Sequence, residues 1–275
     1  MHRNRGSRTS QRYGILTRKL ITFIICLSFY IISLSCERSS PPSSSSSSSL
    51  LDQMSDFSYN PMSKFLANKF NANDDELSYL DKLTKLKQKN RKSTLQYTSP
   101  SVVIDDFLFH GDLGHASNLS LLKSLDIRYI INICDCPLDK EIMDEFKVLH
   151  INLDDEIGVD IKQHFDQTNQ FLFSCKEKNQ KVLVHCQMGI SRSSTIVLAY
   201  LMKYHHNTLL EAYDFLLNKR RQASPNYGFL LQLIQYEKEL KQKNEINDDS
   251  GKEKSKQSDV ENPVKTLDEN INKVE

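Results

Sequence analysis

Cys186 and Arg192 stand six positions apart in the stretch His185-Cys186-Gln187-Met188-Gly189-Ile190-Ser191-Arg192-Ser193-Ser194. A thiol and a guanidinium at that spacing suit the capture and cleavage of a phosphate ester. The thiol closes a short apolar run, Val182-Leu183-Val184, and the residues from Ser194 to Tyr204 read as a helix. A strand, a tight loop and a helix N-terminus together form a nest of backbone N–H groups that binds a dianion. Those dipoles and the arginine hold a cysteine in the nest as its thiolate, and a thiolate beneath a bound phosphate is a nucleophile aimed at phosphorus. The planar fork of Arg192 grips two phosphate oxygens. The N–H groups of Gln187, Met188, Gly189, Ile190, Ser191 and Arg192 bind the equatorial ones. A cysteine followed by an arginine six positions on recurs by chance, and a lone cysteine after Val-Leu-Val is usually an inert core residue. His185, Gly189, Ser193 and the flanking patterns together favour the phosphate-binding loop.

Cleavage of a phosphoester also needs its leaving oxygen protonated, so a general acid must come from a neighbouring loop. Asp154 and Asp155 follow an apolar run and precede an amphipathic stretch, which makes both of them candidates. The same carboxyl later serves as base toward the water that hydrolyses the phosphocysteine. No metal and no cofactor is required by this chemistry.

The elements that must position these groups lie between about residues 100 and 242. Apolar runs at 101–104, 107–110, 129–134, 148–153 and 181–185 read as strands. Helical patterns alternate with the later runs: 118–125, then 161–175, where Ile161, Phe165, Thr168, Leu172 and Cys175 share a face. A capping box, Thr208-Leu-Leu-Glu211, opens a helix through Leu217, and Pro225 precedes a last one over 229–240. The alternation implies an α/β fold, a central mainly parallel sheet flanked by helices in a single catalytic domain. Ligands of such sheets sit off the C-terminal ends of the strands, where His185 and Cys186 fall.

The chain has 275 residues, of which 39% are hydrophobic, and a net charge of +1. That is one ordinary domain with tails, and nothing in the balance calls for nucleic acid. Residues 1–36 carry Arg3, Arg5, Arg8, Arg12, Arg18 and Lys19, no acidic residue, and an apolar run from Leu20 to Leu34. They read as a targeting or anchor segment: a secretory signal peptide cleaved before Cys36, or an uncleaved span that associates residues 20–35 with a membrane. The expected location is therefore the secretory pathway, with mitochondrial and cytoplasmic alternatives. Residues 37–60 are a Ser/Pro-rich linker. Residues 61–99 read as a charged arm with a helix over 74–91, taken as solvated or disordered despite Leu77, Leu80, Leu83 and Leu86 on one stripe. Residues 243–275 read as a disordered polar tail. Cys134, Cys136 and Cys175 have neither zinc-site nor disulfide-framework spacing and read as structural thiols. A catalytic thiolate favours a reducing compartment, in tension with secretion.

Residues 100–242 resemble the dual-specificity protein phosphatases of the cysteine-based protein tyrosine phosphatase superfamily. The likeness rests on His-Cys-x5-Arg-Ser at 185–193, on Gly111, Asn118, Leu122 and Tyr-Ile-Ile-Asn at 129–132, and on Arg220-Arg221-Gln-Ala-Ser-Pro-Asn-Tyr-Gly-Phe at 220–229 followed by Gln232-Leu233. It implies the cysteine-phosphatase fold and a phosphocysteine on Cys186. It also implies that Ser193 stabilises the thiolate as leaving group in the second step. In the family the general acid lies six residues before an aliphatic and ten before an aromatic residue of the following helix. Asp155 meets both through Ile161 and Phe165, whereas Asp154 misses by one. Arg221, four residues before Pro225, takes the place from which some relatives contact a second phosphate, and a solvated helix-end cation is its alternative. Implied substrates are phosphorylated proteins, protein kinases among them, dephosphorylated at tyrosine, serine and threonine. The alternatives are a phosphatase of lipid or other non-protein phosphoesters, disfavoured by the lysine-free loop interior, and an inactive phosphoprotein-binding module.

Overall fold

The computed structural model describes residues 61–90 and 97–251. The candidate targeting segment, the Ser/Pro linker and the tail beyond 251 lie outside them. Among the described residues no helix is long and apolar enough to cross a membrane.

Two helices come first, α1 (Pro61–Phe70) and α2 (Asp74–Lys89). Then follow β1 (Ser101–Ile104), β2 (Leu108–Asp112), the short helices α3 (Leu113–Ala116) and α4 (Leu119–Ser124), and β3 (Ile127–Asn132). Next are α5 (Lys140–Glu145), β4 (Lys147–His150), a 3-10 turn (Lys162–His164), α6 (Phe165–Glu177) and β5 (Lys181–Cys186). The described residues close with α7 (Arg192–Tyr204), α8 (Leu209–Lys219) and α9 (Tyr227–Gly251). The sheet order is β1-β2-β5-β3-β4, antiparallel between β1 and β2 and parallel elsewhere. β5, the strand that ends in Cys186, is therefore central.

Alternation along the strands divides the core. Leu108, Val182, Val184 and Ile131 face one cluster, with residues of α6, α7, α8 and α9. Phe109, Leu183, Ile130 and Ile127 face the other, with α4 and α5. Being apolar on both faces is what a covered parallel sheet demands, and it is why the β5 run Val182-Leu183-Val184 does not alternate.

Three expectations need correction. The part of the 61–99 arm that forms α1 and α2 packs on the core rather than standing in solvent. Leu77, Leu80 and Leu83 of α2 are buried beside Leu66 of α1 in the first cluster, each leucine contributing about 1.5–3 kcal/mol. Its helix starts at a full capping box, with Asn73 accepting from Glu76 N–H and the Glu76 carboxylate from Asn73 N–H. The apolar stripe outweighed the charge run. Second, β3 stops at Asn132, two residues early, because the Asn132 side chain turns to bond the Cys136 carbonyl at 2.8 Å. Third, two ends shift: β4 stops at His150 rather than at 153, and the last helix runs from Tyr227 to Gly251 rather than over 229–240, so residues 243–251 of the expected disordered tail are helical. α1, α3 and α5 carry short patterns that the periodicity did not reveal.

Candidate active site

Cys186 ends β5, and the next five residues form the loop before α7. The loop is pinned from outside by its carbonyl groups. Gln187 C=O accepts from Leu113 N–H at 3.2 Å, Gly189 C=O from Arg220 Nε at 2.9 Å and Ile190 C=O from Ser224 N–H at 2.7 Å. A peptide plane whose oxygen points out carries its N–H inward, so the N–H groups of Met188, Ile190 and Ser191 turn toward the loop's interior. Gly189 makes the tight turn at φ +63°, where a Cβ would overlap the Gly111 carbonyl oxygen and stand 2.5 Å from Arg220 Nη2.

Cys186 is 1% exposed, and its Sγ lies 3.2 Å from Ser193 Oγ. Ser193 Oγ is 2.9 Å from His110 Nε2. His110 is fully buried, which, with Arg220 and His115 adding, holds its pKa well below the usual imidazole value. His185 Nδ1 lies 3.3 Å from the Cys186 carbonyl, and burial pushes its pKa down to about 4. A ring kept neutral near neutral pH and facing the backbone suits support of the loop rather than proton transfer. Arg192 is buried, and its Nη1 donates to the Leu153 carbonyl at 2.8 Å. Its Nε has no hydrogen-bond partner among the described residues and lies 3.8 Å from Asp155 Oδ2. That orphan donor, beside inward N–H groups and a thiol, is what a bound phosphate oxygen would satisfy.

Asp155 is drawn into this assembly and Asp154 is not. Asp155 Oδ1 accepts from Ser191 Oγ at 2.6 Å and from Asn226 Nδ2 at 2.9 Å. Asp154 is exposed. Gln187 and Met188 are exposed at the mouth, Met188 by 63%.

Of the two arginines in sequence, Arg221 is exposed and Arg220 is completely buried beneath the loop. Besides Gly189, Arg220 reaches Ser101 Oγ at 3.4 Å and Asp112 Oδ2 at 3.8 Å, and lies 4.7 Å from the Tyr97 ring centre. Burial lowers its pKa while Asp112, Tyr97 and Cys186 hold it up. Sequence reasoning missed Arg220, His110 and Asn226. The Arg-Arg pair carries no sign of which member turns inward.

The described cysteines are all free. Cys134 and Cys175 are buried, and burial raises their pKa values to about 11 and about 12. Cys134, Asp135 and Cys136 bring ligand atoms within 4.8 Å of one another, but the Asp135 carboxylate lies 3.7 Å from Arg192 Nη1. That guanidinium already supplies the positive charge a metal would bring.

A five-stranded mixed sheet with a cysteine-and-arginine loop at the C-terminal end of its central strand is the cysteine-phosphatase fold. Residues 108–239 match the family model of the dual specificity phosphatase catalytic domain. Among curated proteins the chain is 42% identical over 141 residues to a rhodanese domain-containing dual specificity protein phosphatase of Dictyostelium discoideum, covering 51% of this chain and 29% of that one. It is 40% identical over 139 residues to human dual specificity protein phosphatase 5, covering 50% and 36%. A solved mouse dual specificity phosphatase, complexed with zinc tungstate, superposes with a TM-score of 0.50 at 26% identity over 56% of this chain and 95% of that one. Residues 108–239 are therefore a dual-specificity phosphatase catalytic domain of the cysteine-based protein tyrosine phosphatase superfamily. The chain spans little more than a third, at most, of the length of these two curated relatives.

Proposed function

We propose that the protein is a dual-specificity protein phosphatase that hydrolyses phosphotyrosine, phosphoserine and phosphothreonine through a phosphocysteine. The observation that carries the reading is that Cys186 and Arg192 bracket one loop, to which Asp155, 36 residues from Ser191, is tied by its bond to that serine and by its approach to Arg192. Cys186 attacks phosphorus in line, a P–S bond forms, and the P–O bond to the substrate breaks. The Arg192 fork and the inward N–H groups hold the transferring oxygens. Asp155 gives its proton to the departing oxygen and later takes one from the attacking water, whose oxygen displaces the Cys186 thiolate. Ser193 stabilises that thiolate as it leaves. Every proton and electron pair in this scheme is supplied by side chains or water.

Protein substrates are favoured over phosphoinositides because Gln187, Met188 and Ile190 put no cation in the loop. One relative, 43% identical over 156 residues, is a MAP kinase phosphatase with leucine-rich repeats from Dictyostelium discoideum, which makes phosphorylated kinases the first substrates to assay. Arg221 stands as a contact for a second phosphate. The catalytic unit takes in 100–242, and its location follows from the fate of residues 20–35.

The test is turnover of phosphotyrosine and phosphothreonine peptides. Cys186→Ser is expected to abolish it. Asp155→Ala is expected to lose it by about 100-fold or more while sparing an aryl phosphate whose leaving group needs little protonation. Turnover surviving in Cys186→Ser refutes the mechanism, and the leaving-group signature appearing in Asp154→Ala instead moves the acid by one residue.

A further inference from the structure

We infer that α1 and α2 brace the loop that carries Asp155, with Phe70 acting as a positioning residue for that carboxylate. The inference rests on the proposed role of Asp155 as general acid. Both helices precede the span matched by the family model, 108–239, so the brace is an addition to the matched unit.

Residues 154–160 have no strand or helix to stiffen them, so their shape depends on what they touch. The N-terminal end is held by Arg192 on the Leu153 carbonyl and by Ser191 and Asn226 on Asp155. Gln232 holds the C-terminal end. Its Nε2 donates to the Val159 carbonyl at 2.8 Å, and its Oε1 accepts from Ile161 and Lys162 N–H at 2.9 and 3.0 Å. Between these anchors lies the turn at Ile157 and Gly158, backed by the last turn of α1. A Cβ on Gly228 would overlap the Ile157 carbonyl oxygen and come within 2.9 Å of Phe70 Cζ. Acid loop, phenyl ring and the start of α9 thus meet at one Cα that only glycine can offer. The Lys69 side chain lies against Gly158 in the same way.

Phe70 is in turn fixed. α1 ends there in a left-handed Asn71, φ +51°, with Ala72 N–H bonding the Ala67 carbonyl at 3.2 Å. Leu66 is fully buried one turn earlier. α2 is tied to α9 by Tyr79 O–H on Glu237 at 2.9 Å and by Lys238 on Glu76 at 2.7 Å. A rigid path therefore runs from the core through α2 and α1 to the peptide two residues beyond Asp155. A general acid works only within hydrogen-bond reach of the leaving oxygen, and a shift of about 1 Å costs up to about 100-fold.

The experiment uses the full chain with Phe70→Ala, and with Phe70→Leu should the alanine variant fold poorly. kcat/KM is measured for a phosphotyrosine peptide and for an aryl phosphate with an activated leaving group. The peptide value is expected to fall about 10-fold or more with the aryl phosphate nearly unchanged. Partial unfolding lowers both together, so the ratio between substrates is the readout. In an Asp155→Ala background, Phe70→Ala should leave the ratio where it is. An equal fall for both substrates, or a further change of ratio in the double variant, overturns the brace while the acid assignment stands. If Asp155→Ala alone leaves the ratio unchanged, the acid assignment falls, and the brace with it.

Discussion

Replacing Ser193 by alanine should separate the two chemical steps. Ser193 Oγ lies 3.2 Å from Cys186 Sγ and 2.9 Å from His110 Nε2. Burial keeps His110 neutral, so its ring carries one proton. His110 Nδ1 is buried with no hydrogen-bond partner among the described residues, and an unbonded lone pair costs less there than an unbonded N–H. The network thus assigns the proton to Nε2, which donates to Ser193 Oγ and leaves the hydroxyl proton for sulfur. A hydrogen bond to a charged acceptor is worth about 1.5–3 kcal/mol, or about 10- to 150-fold in rate. In the proposed mechanism the sulfur carries negative charge before the first transition state and again after the second. Loss of the donor therefore spares formation of phosphocysteine and slows its breakdown by that factor. Rapid mixing of Ser193→Ala with an aryl phosphate should give a burst of one product per enzyme followed by a slow steady rate, with phosphoenzyme trapped on acid quench. His110→Phe should show a weaker version, and His110→Gln, which keeps an N–H donor, a weaker one still. A fall in steady-state rate with no burst and no trapped phosphoenzyme refutes this account of the hydroxyl.

Two further outcomes follow from the same site. Arg220→Met should weaken competitive inhibition by inorganic phosphate about 10-fold or more, because the buried fork that holds the Gly189 carbonyl is worth about 1.5–3 kcal/mol. Arg221→Met should leave phosphate inhibition unchanged and affect only doubly phosphorylated peptides, so equal effects in the two variants would sink the distinction. Stability should fall in mild acid. His185 titrates near 4 in the folded chain against 6.5 unfolded, so the unfolded state takes up the proton first. The contribution is complete above 6.5 and is lost as pH falls toward 4. At pH 5.5 the loss from His185 alone is on the order of 1 kcal/mol relative to pH 7.5, and His110 shifts in the same direction. Urea midpoints at the two pH values measure it, and an unchanged midpoint would mean that these rings are protonated in the folded state.

The reactive loop was legible because its chemistry is local. A thiol, a turn glycine, an arginine and a helix start must follow one another within a few residues if backbone N–H groups are to converge, so spacing alone carries the meaning. The central strand and the parallel sheet were legible for a related reason: burial on both faces leaves an uninterrupted apolar run. Strand ends were less so. β3 stops where one asparagine side chain bonds a carbonyl four residues on, a local choice that hydrophobic pattern does not record. The arm at 61–99 was misread because its charges outnumber its leucines, although the leucines are spaced to share a face and are what the core takes in.

What the chain pattern withheld is the set of contacts that aim the loop. The family spacing pointed to Asp155, but its ties to Ser191 and Asn226, partners 36 and 71 residues away, were not legible, nor was the burial of Arg220 rather than Arg221, set by which side of the backbone faces Gly189 after α8 ends. Neither feature alters composition or period. Both follow from how independent elements close on one another, which depends on core volume and helix register rather than on residue type. The acid loop makes the point most sharply. Its two ends are held by elements of the matched unit and its middle by a helix outside it, so two chains identical from 108 to 239 could hold Asp155 at different distances from the leaving oxygen. If Phe70 governs that distance, substrate preference in this protein is set partly by residues that contact no substrate at all.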